Sequence, residues 1–441
     1  MDYSDATQNI RERMTATTSR LLNHLRTPLY RNGYALALSA GMTSVLGLLF
    51  WVLVARFYPA ETVGLNSAVL SAMMLLSGVA QLSLNSVLVR FIPVAGKSTR
   101  RLILSAYATS LMASAVIALI FGLGTPIWAP SMRFLADQPL FLLGFVLSSM
   151  VWSIFSLQDS VMTGLRQALW VPLENSIFAT AKIALVIWFA SLIPRFGIFI
   201  AWVLPIAGLI IPINALIFKR LLPAHAEASR DEEEHAPIRF GWIAKYTSGN
   251  YVGTLFTLLS TMLLPILVNE RLGSSQNAYF YLPWTITTSL QLLGQNMTTS
   301  LTVEAAREQE KSGEYGYRIL IHTLRLLAPV VAILFIGAPL FLRVFGSKYS
   351  TEGGELLRLL SLAVIPNLVI VLYIALARVK NQIKGIIAVQ GVLSFLVLGS
   401  SILLMDLYGI TGVGWGWLGS QSIVAAVLVI AILRPLLRRR G

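Results

Sequence analysis

A lysine stands in the middle of an apolar run at "FATAKIALVIW", residues 178–188. Lys182 lies about a dozen residues from either end of that run, too deep for its ammonium to reach water along its own stem. Such a group needs an anion, a cavity or the loss of its proton. Asp159 and Glu174 are the candidate partners, and an ion pair with either would tie two helices together. Alternatively Lys182 faces a translocation cavity, where low dielectric strengthens its attraction for a phosphate. Arg325 and His322 offer the same chemistry from the other half of the chain. Amides and hydroxyls form a second set. Trp284, Thr288, Gln291, Gln295, Thr298 and Thr302 fall on one side of a helix at 3.6 residues per turn, with Asn296 beside them, and Ser67, Ser77, Gln81 and Asn85 form a thinner stripe. Thr43 and Ser44 add to it. Stripes of this kind either line a hydrated path or make interhelical hydrogen bonds. Arg56 and Arg271, each closing an apolar run, read as interfacial anchors or as two cations guarding an outer mouth.

No enzyme chemistry emerges. Cysteine is absent and the four histidines have no metal-ligand spacing. Serine-hydrolase elbows and phosphate-cradling GxxxxGK[ST] loops are also absent, so neither a cofactor nor a metal is expected.

The elements that must carry these groups are membrane helices. Of the 441 residues 56% are hydrophobic and 12% charged, with a mean hydropathy of +0.72, whereas soluble domains carry about a quarter charged residues. Lipid satisfies no backbone hydrogen bonds, so such runs cross as helices, each needing about 20 residues. Twelve spans are predicted, at about 33–56, 64–89, 102–124, 139–165, 170–193, 196–218, 242–269, 277–303, 317–341, 357–377, 385–405 and 409–433. With both termini in the cytoplasm, the inner segments hold 26 of the 34 Lys and Arg residues. Arg56, Arg133, Arg195, Arg271, Arg343, Lys348 and Arg358 fall outside. This asymmetry sets the orientation and accounts for most of the net charge of +14 without a nucleic-acid partner. The run past residue 32 is too long for a removable signal peptide.

The acidic, proline-bearing loop "KRLLPAHAEASRDEEEHAPIRFGW" (219–242) cuts the chain into halves. The expected domains are a cytoplasmic segment 1–32, a six-helix lobe 33–218, a linker 219–241, a second lobe 242–433 and a basic tail 434–441. An offset of 215 residues carries Arg56 to Arg271 and Gln81 to Asn296. Six spans per half is an even number, so the repeats run parallel about an axis along the membrane normal.

The stretch "LVARFYPAETVGLNSAVLSAMMLLSGVAQLSLNSVLVRFIP" (53–93) resembles the amino-terminal signature of the polysaccharide-exporter flippases, through Arg56, Pro59, Glu61, Gly64 and Arg90. "DSVMTGLRQAL" (159–169), with Asp159, Gly164 and Arg166, is similar to the end of that family's fourth span. The flippases belong to the multidrug, oligosaccharidyl-lipid and polysaccharide exporter superfamily. The resemblance implies two six-helix lobes in a V, a cavity lined by spans one, two, seven and eight, and alternating access. It implies an undecaprenyl-diphosphate-linked oligosaccharide as substrate, membrane lipid around the tail, and polysaccharide-assembly enzymes as neighbours. The competing reading is an ion-coupled drug and toxin exporter of the same superfamily. Those carry acids within spans one, seven or ten. Here span one has none, and Glu270, Glu352 and Glu355 lie only at span edges, which favours the flippase. Asp159 and Glu174 remain as candidate coupling carboxylates, with membrane potential as the alternative drive.

Overall fold

The structure is a computed structural model that describes the backbone of residues 28–228, 240–305, 312–380 and 382–438. Within these, side chains at 28–42, 97, 228, 240–250, 293, 296–305, 312–319, 379 and 432–438 lie outside the described residues, as do residues 1–27, 229–239, 306–311, 381 and the last three of the basic tail.

The described chain is all-α. The first half holds α1 (Pro28–Phe57), α2 (Ala60–Ala80), α3 (Leu84–Phe91), α4 (Thr99–Trp128), α5 (Pro139–Gly164), α6 (Trp170–Leu192) and α7 (Gly197–Leu216). The second holds α8 (Phe240–Leu272), α9 (Ser274–Ala305), α10 (Ser312–Arg343), α11 (Ser347–Leu362), α12 (Val364–Val379) and α13 (Ile383–Arg438). α2 with α3, and α11 with α12, each form one broken pass. α13 is two passes divided at Gly409, whose φ of 58° suits a residue without Cβ. The architecture is therefore the twelve-pass one expected from the sequence. Among the described residues, nine helical stretches are long and apolar enough to cross a membrane, with Ile383–Ala431 counted as one.

Two elements differ from expectation. Span two is broken, because Leu82 (φ 49°) and Ser83 (φ 57°) adopt the left-handed region. That conformation costs a non-glycine residue about 1–3 kcal/mol, and the Leu84 amide holds it by donating to the Gln81 carbonyl at 2.7 Å. The linker also starts late. A π-turn (Ile217–Leu221) and a short helix (Leu222–Ala228) prolong α7, since Ile217 and Leu221 bury against the Leu88, Ile103 and Val161 core.

How the lobes meet is visible in their cores. Call the end nearest residues 219–228 the linker end, and the other the distal end. At the distal end one apolar core runs through both lobes, from Phe50, Val54 and Leu70 to Leu264, Phe280, Leu342 and Tyr349. Toward the linker end the cores are separate, around Leu157 and Val161 in lobe one and around Leu327 and Leu368 in lobe two. Burying apolar surface is the dominant attraction between packed elements, so the lobes are joined distally and part toward the linker end.

Candidate functional site

Between the parted lobes lies a cavity of about 380 Å³. Its polar lining begins at the break between α2 and α3, with Gln81, Ser83, Asn85 and Ser86, and continues with Ser156 of α5 and Thr254 of α8. Trp152, Leu258 and Met262 supply the apolar wall. A second hollow of about 380 Å³ adjoins it through Asn85 and Ser86 and adds Arg90 and Ser160. The left-handed pair Leu82–Ser83 makes this possible, since it turns the chain so that α3 sets Asn85, Ser86 and Arg90 around the opening. Asn85 donates to Gln81 Oε1 at 3.0 Å, while Gln81 reaches the Ser153 carbonyl at 3.5 Å. Asn85 Oδ1 has no protein partner. Among the described lining residues there is no aspartate or glutamate, so the polar part of the hollow is made of amides, hydroxyls, one indole and one guanidinium.

The distal end is closed by bonds between lobes. Gly64 of α2 meets α9 so closely that a Cβ there would lie 1.6 Å from the Ser274 carbonyl oxygen. Beside it Asn277 donates to the Gly64 carbonyl at 2.8 Å and to Ser67 Oγ at 3.2 Å. Arg56 crosses to lobe two and donates to the carbonyls of Val344 (2.8 Å) and Arg343 (3.3 Å), capping the end of α10. The Ser131 amide and hydroxyl both donate to Glu270, and Asn269 donates to Ser131 Oγ at 2.5 Å. Trp51 packs on Tyr281 with ring centroids 4.8 Å apart. Nearer the linker end the Tyr251 hydroxyl of lobe two donates to the Val79 carbonyl of lobe one at 3.0 Å.

Of the residues singled out from sequence, Gln81 and Asn85 line the cavity. Lys182 does not. It is 5% exposed inside lobe one, with Nζ 3.7 Å from the Trp202 ring centroid, 4.7 Å from Phe178 and 4.8 Å from Phe50. Nor does it form the ion pair with Asp159 or Glu174 that was the alternative reading. Among the described residues the ion pairs are Arg133–Asp137 and Arg271–Asp406, the latter within lobe two. Arg56 and Arg271 are thus not a matched pair of mouth cations: one latches the lobes and the other is neutralised at home. Glu174 is 1% exposed with both carboxyl oxygens unpartnered. Asp159, one oxygen unpartnered, and the Tyr107 hydroxyl are its electrostatic neighbours.

The α9 stripe is divided. Trp284 stacks on Phe280 and meets Trp417 edge-on in the lobe-two core, Thr288 donates back to the Trp284 carbonyl, and Gln291 is buried with Nε2 unpartnered. Gln295 and Arg325 are exposed, and the side chains of Asn296, Thr298 and Thr302 lie outside the described residues. None of Thr288, Gln291, Gln295 or Arg325 is among the described residues lining the cavity. Sequence reasoning missed Ser86, Ser156 and Arg90 as site residues. Arg90 was visible as a charge at a span end, the position where arginines also mark topology.

No family model matches the chain, and no curated protein matches it. Solved structures do. A lipid II flippase MurJ in an inward closed conformation superposes with a TM-score of 0.68 at 15% identity, covering 90% of this chain and 87% of that one. An inward-facing multidrug resistance MATE family transporter gives 0.66 at 15% identity, covering 89% and 94%. A MOP superfamily transporter from Pyrococcus furiosus, described as having a binding pocket of reversed polarity, gives 0.65 at 15%, covering 92% and 96%. The fold is that of the MOP superfamily transporters. At these identities the likeness concerns the fold, and the chemistry must be argued from this chain's own cavity.

Proposed function

We propose that the protein carries a lipid-linked oligosaccharide across the cytoplasmic membrane by alternating access of its two lobes, with the linker end and both termini in the cytoplasm. The carrying observation is the lining of the cavity. Neutral amides and hydroxyls suit the many hydroxyls of a sugar chain, Trp152 offers a flat face for a sugar ring, and Arg90 offers a fork for phosphate. A cationic drug would find no carboxylate among the described lining residues, which supports the flippase over the exporter. The fold is common to a lipid II flippase and to multidrug transporters and does not choose between them, whereas the flippase-like signature around Arg56 supports this reading. The carboxylates of lobe one, buried Glu174 and half-buried Asp159, supply the coupling to an ion or proton gradient. Polysaccharide-assembly enzymes on the outer face would consume the product.

The test is leaflet-specific digestion of radiolabelled lipid-linked oligosaccharide in cells lacking the gene. Accumulation on the cytoplasmic leaflet, reversed by the intact gene, is expected. Arg90→Ala should restore transport at least about tenfold less well, the loss of one charge-assisted phosphate contact of about 1.5–3 kcal/mol. Unchanged glycan together with new sensitivity to cationic drugs would establish the exporter instead.

A further inference from the structure

A different surface of lobe one is shaped for a ligand. Between α5 and α7 runs a groove of about 280 Å³, floored by Val69 and Phe145 and walled by Phe134, Phe141, Phe196 and Val203. It opens sideways, with Leu140 and Leu204 on its rims 78% and 50% exposed. It follows α7 from Phe199 to Ala207, about 12 Å at 1.5 Å per residue, inward from the distal end. Gly144 keeps it open, since a Cβ there would meet nothing within 4 Å.

At the distal end of the groove stands a cation. The Arg195 guanidinium carbon lies 5.3 Å from the Phe196 ring centroid and 5.9 Å from that of Phe134, both rings being groove walls. Its backbone is pinned, because buried Asn66 donates to the Arg195 carbonyl at 2.8 Å and accepts from the Phe199 amide at 3.1 Å. The nearby Asp137 is engaged by Arg133 at 3.4 Å, and no ion pair among the described residues includes Arg195. A guanidinium lying against two ring walls at the mouth of an apolar slot suits a phosphate with a hydrocarbon chain attached.

We propose that the α5–α7 groove binds one acyl chain of an anionic phospholipid from the leaflet at the distal end, with the headgroup phosphate on Arg195. The cavity at the linker end shares none of the groove's lining residues, so the proposal does not depend on what is transported. Rings on three sides give the chain walls on α5, on α7 and on the turn before α5, and its burial contributes about 0.8 kcal/mol per methylene.

Native mass spectrometry of the full chain, titrated with phosphatidylglycerol and with phosphatidylcholine of equal chain length, tests this. Phosphatidylglycerol should be retained preferentially, and Arg195→Ala should lower its retention about fivefold with little effect on phosphatidylcholine. Gly144→Trp, which fills the groove, should abolish the preferential copy. Equal retention of the two lipids, or a Gly144→Trp chain that holds phosphatidylglycerol as the parent does, would overturn the site. Should Gly144→Trp fail to fold, Arg195→Ala alone decides: undiminished phosphatidylglycerol binding rejects the proposal.

Discussion

Lys182 faces three rings rather than a carboxylate, and this changes what its removal should do. An ammonium in hydrocarbon must find negative potential somewhere, and the faces of Trp202, Phe178 and Phe50 provide it from three helices at once. The lysine thereby ties α1, α6 and α7 together. Lys182→Ala should lower the stability of detergent-solubilised protein by about 2 kcal/mol, read as a drop in the thermal midpoint, while Lys182→Met keeps the packing and stays near the parent. Transport lost in Lys182→Met at unchanged stability would show instead that the cation reads the substrate. Glu174 has the opposite character, since a buried carboxyl without hydrogen bonds costs stability rather than adding it. Glu174→Gln should therefore leave the midpoint unchanged or raised, yet make flux in vesicles insensitive to imposed ion or proton gradients. Retained gradient dependence would exclude it from coupling. The isolated charge at Lys182 was legible in sequence because one polar residue interrupts an apolar run. Its cage was not, because Phe50 and Trp202 are ordinary apolar residues until folding brings their helices alongside. Gln81 and Asn85 were legible as amides within an apolar run, but their arrangement was not, since they lie on either side of the break between α2 and α3 and meet through the Asn85–Gln81 hydrogen bond rather than on one helix face.

Among the elements, α2 and α9 carry the join between lobes. Their approach at Gly64 leaves no room for a side chain, and Asn277 stitches the same crossing. A hinge that opens distally must separate these two helices. The chain has no cysteine of its own, so Ser67→Cys with Asn277→Cys introduces the only thiols. Bridging them with a short thiol-specific linker should stop transport, and reductive release of a cleavable linker should restore it. Flux that continues through the bridged protein would mean that this crossing does not open. The repeat, with an arginine closing the first span of each half, was legible and gave the parallel two-lobe plan. The break of α2 was not, since "QLSLNS" (81–86) has neither glycine nor proline to mark its left-handed residues. The strain at Leu82 and Ser83 is stored where the cavity begins, as is common at working sites.

For the whole molecule, the balance of bonds at the two ends sets which side is open. Distally, Arg56, Asn277 and the Glu270–Ser131–Asn269 cluster cross between lobes, over a shared apolar core. At the linker end the cores are separate, and the Tyr251 hydroxyl bonds across to the Val79 carbonyl. A transporter must let its substrate reverse this bias, so the distal bonds should be worth a few kcal/mol rather than many. Arg56→Ala combined with Asn277→Ala removes about 2 kcal/mol of latch, which moves the equilibrium about thirtyfold toward distal opening. A Ser71→Cys reporter, buried on α2, reads this with a membrane-impermeant maleimide added from the distal side. Labelling should be slow in the parent and faster by a factor of that order in the latch variant, while a Ser86→Cys reporter at the linker end becomes slower to label. The opposite signs are essential, because general loosening of the fold would speed both. Parallel acceleration at the two positions would mean that the lobes do not alternate about the α2–α9 crossing.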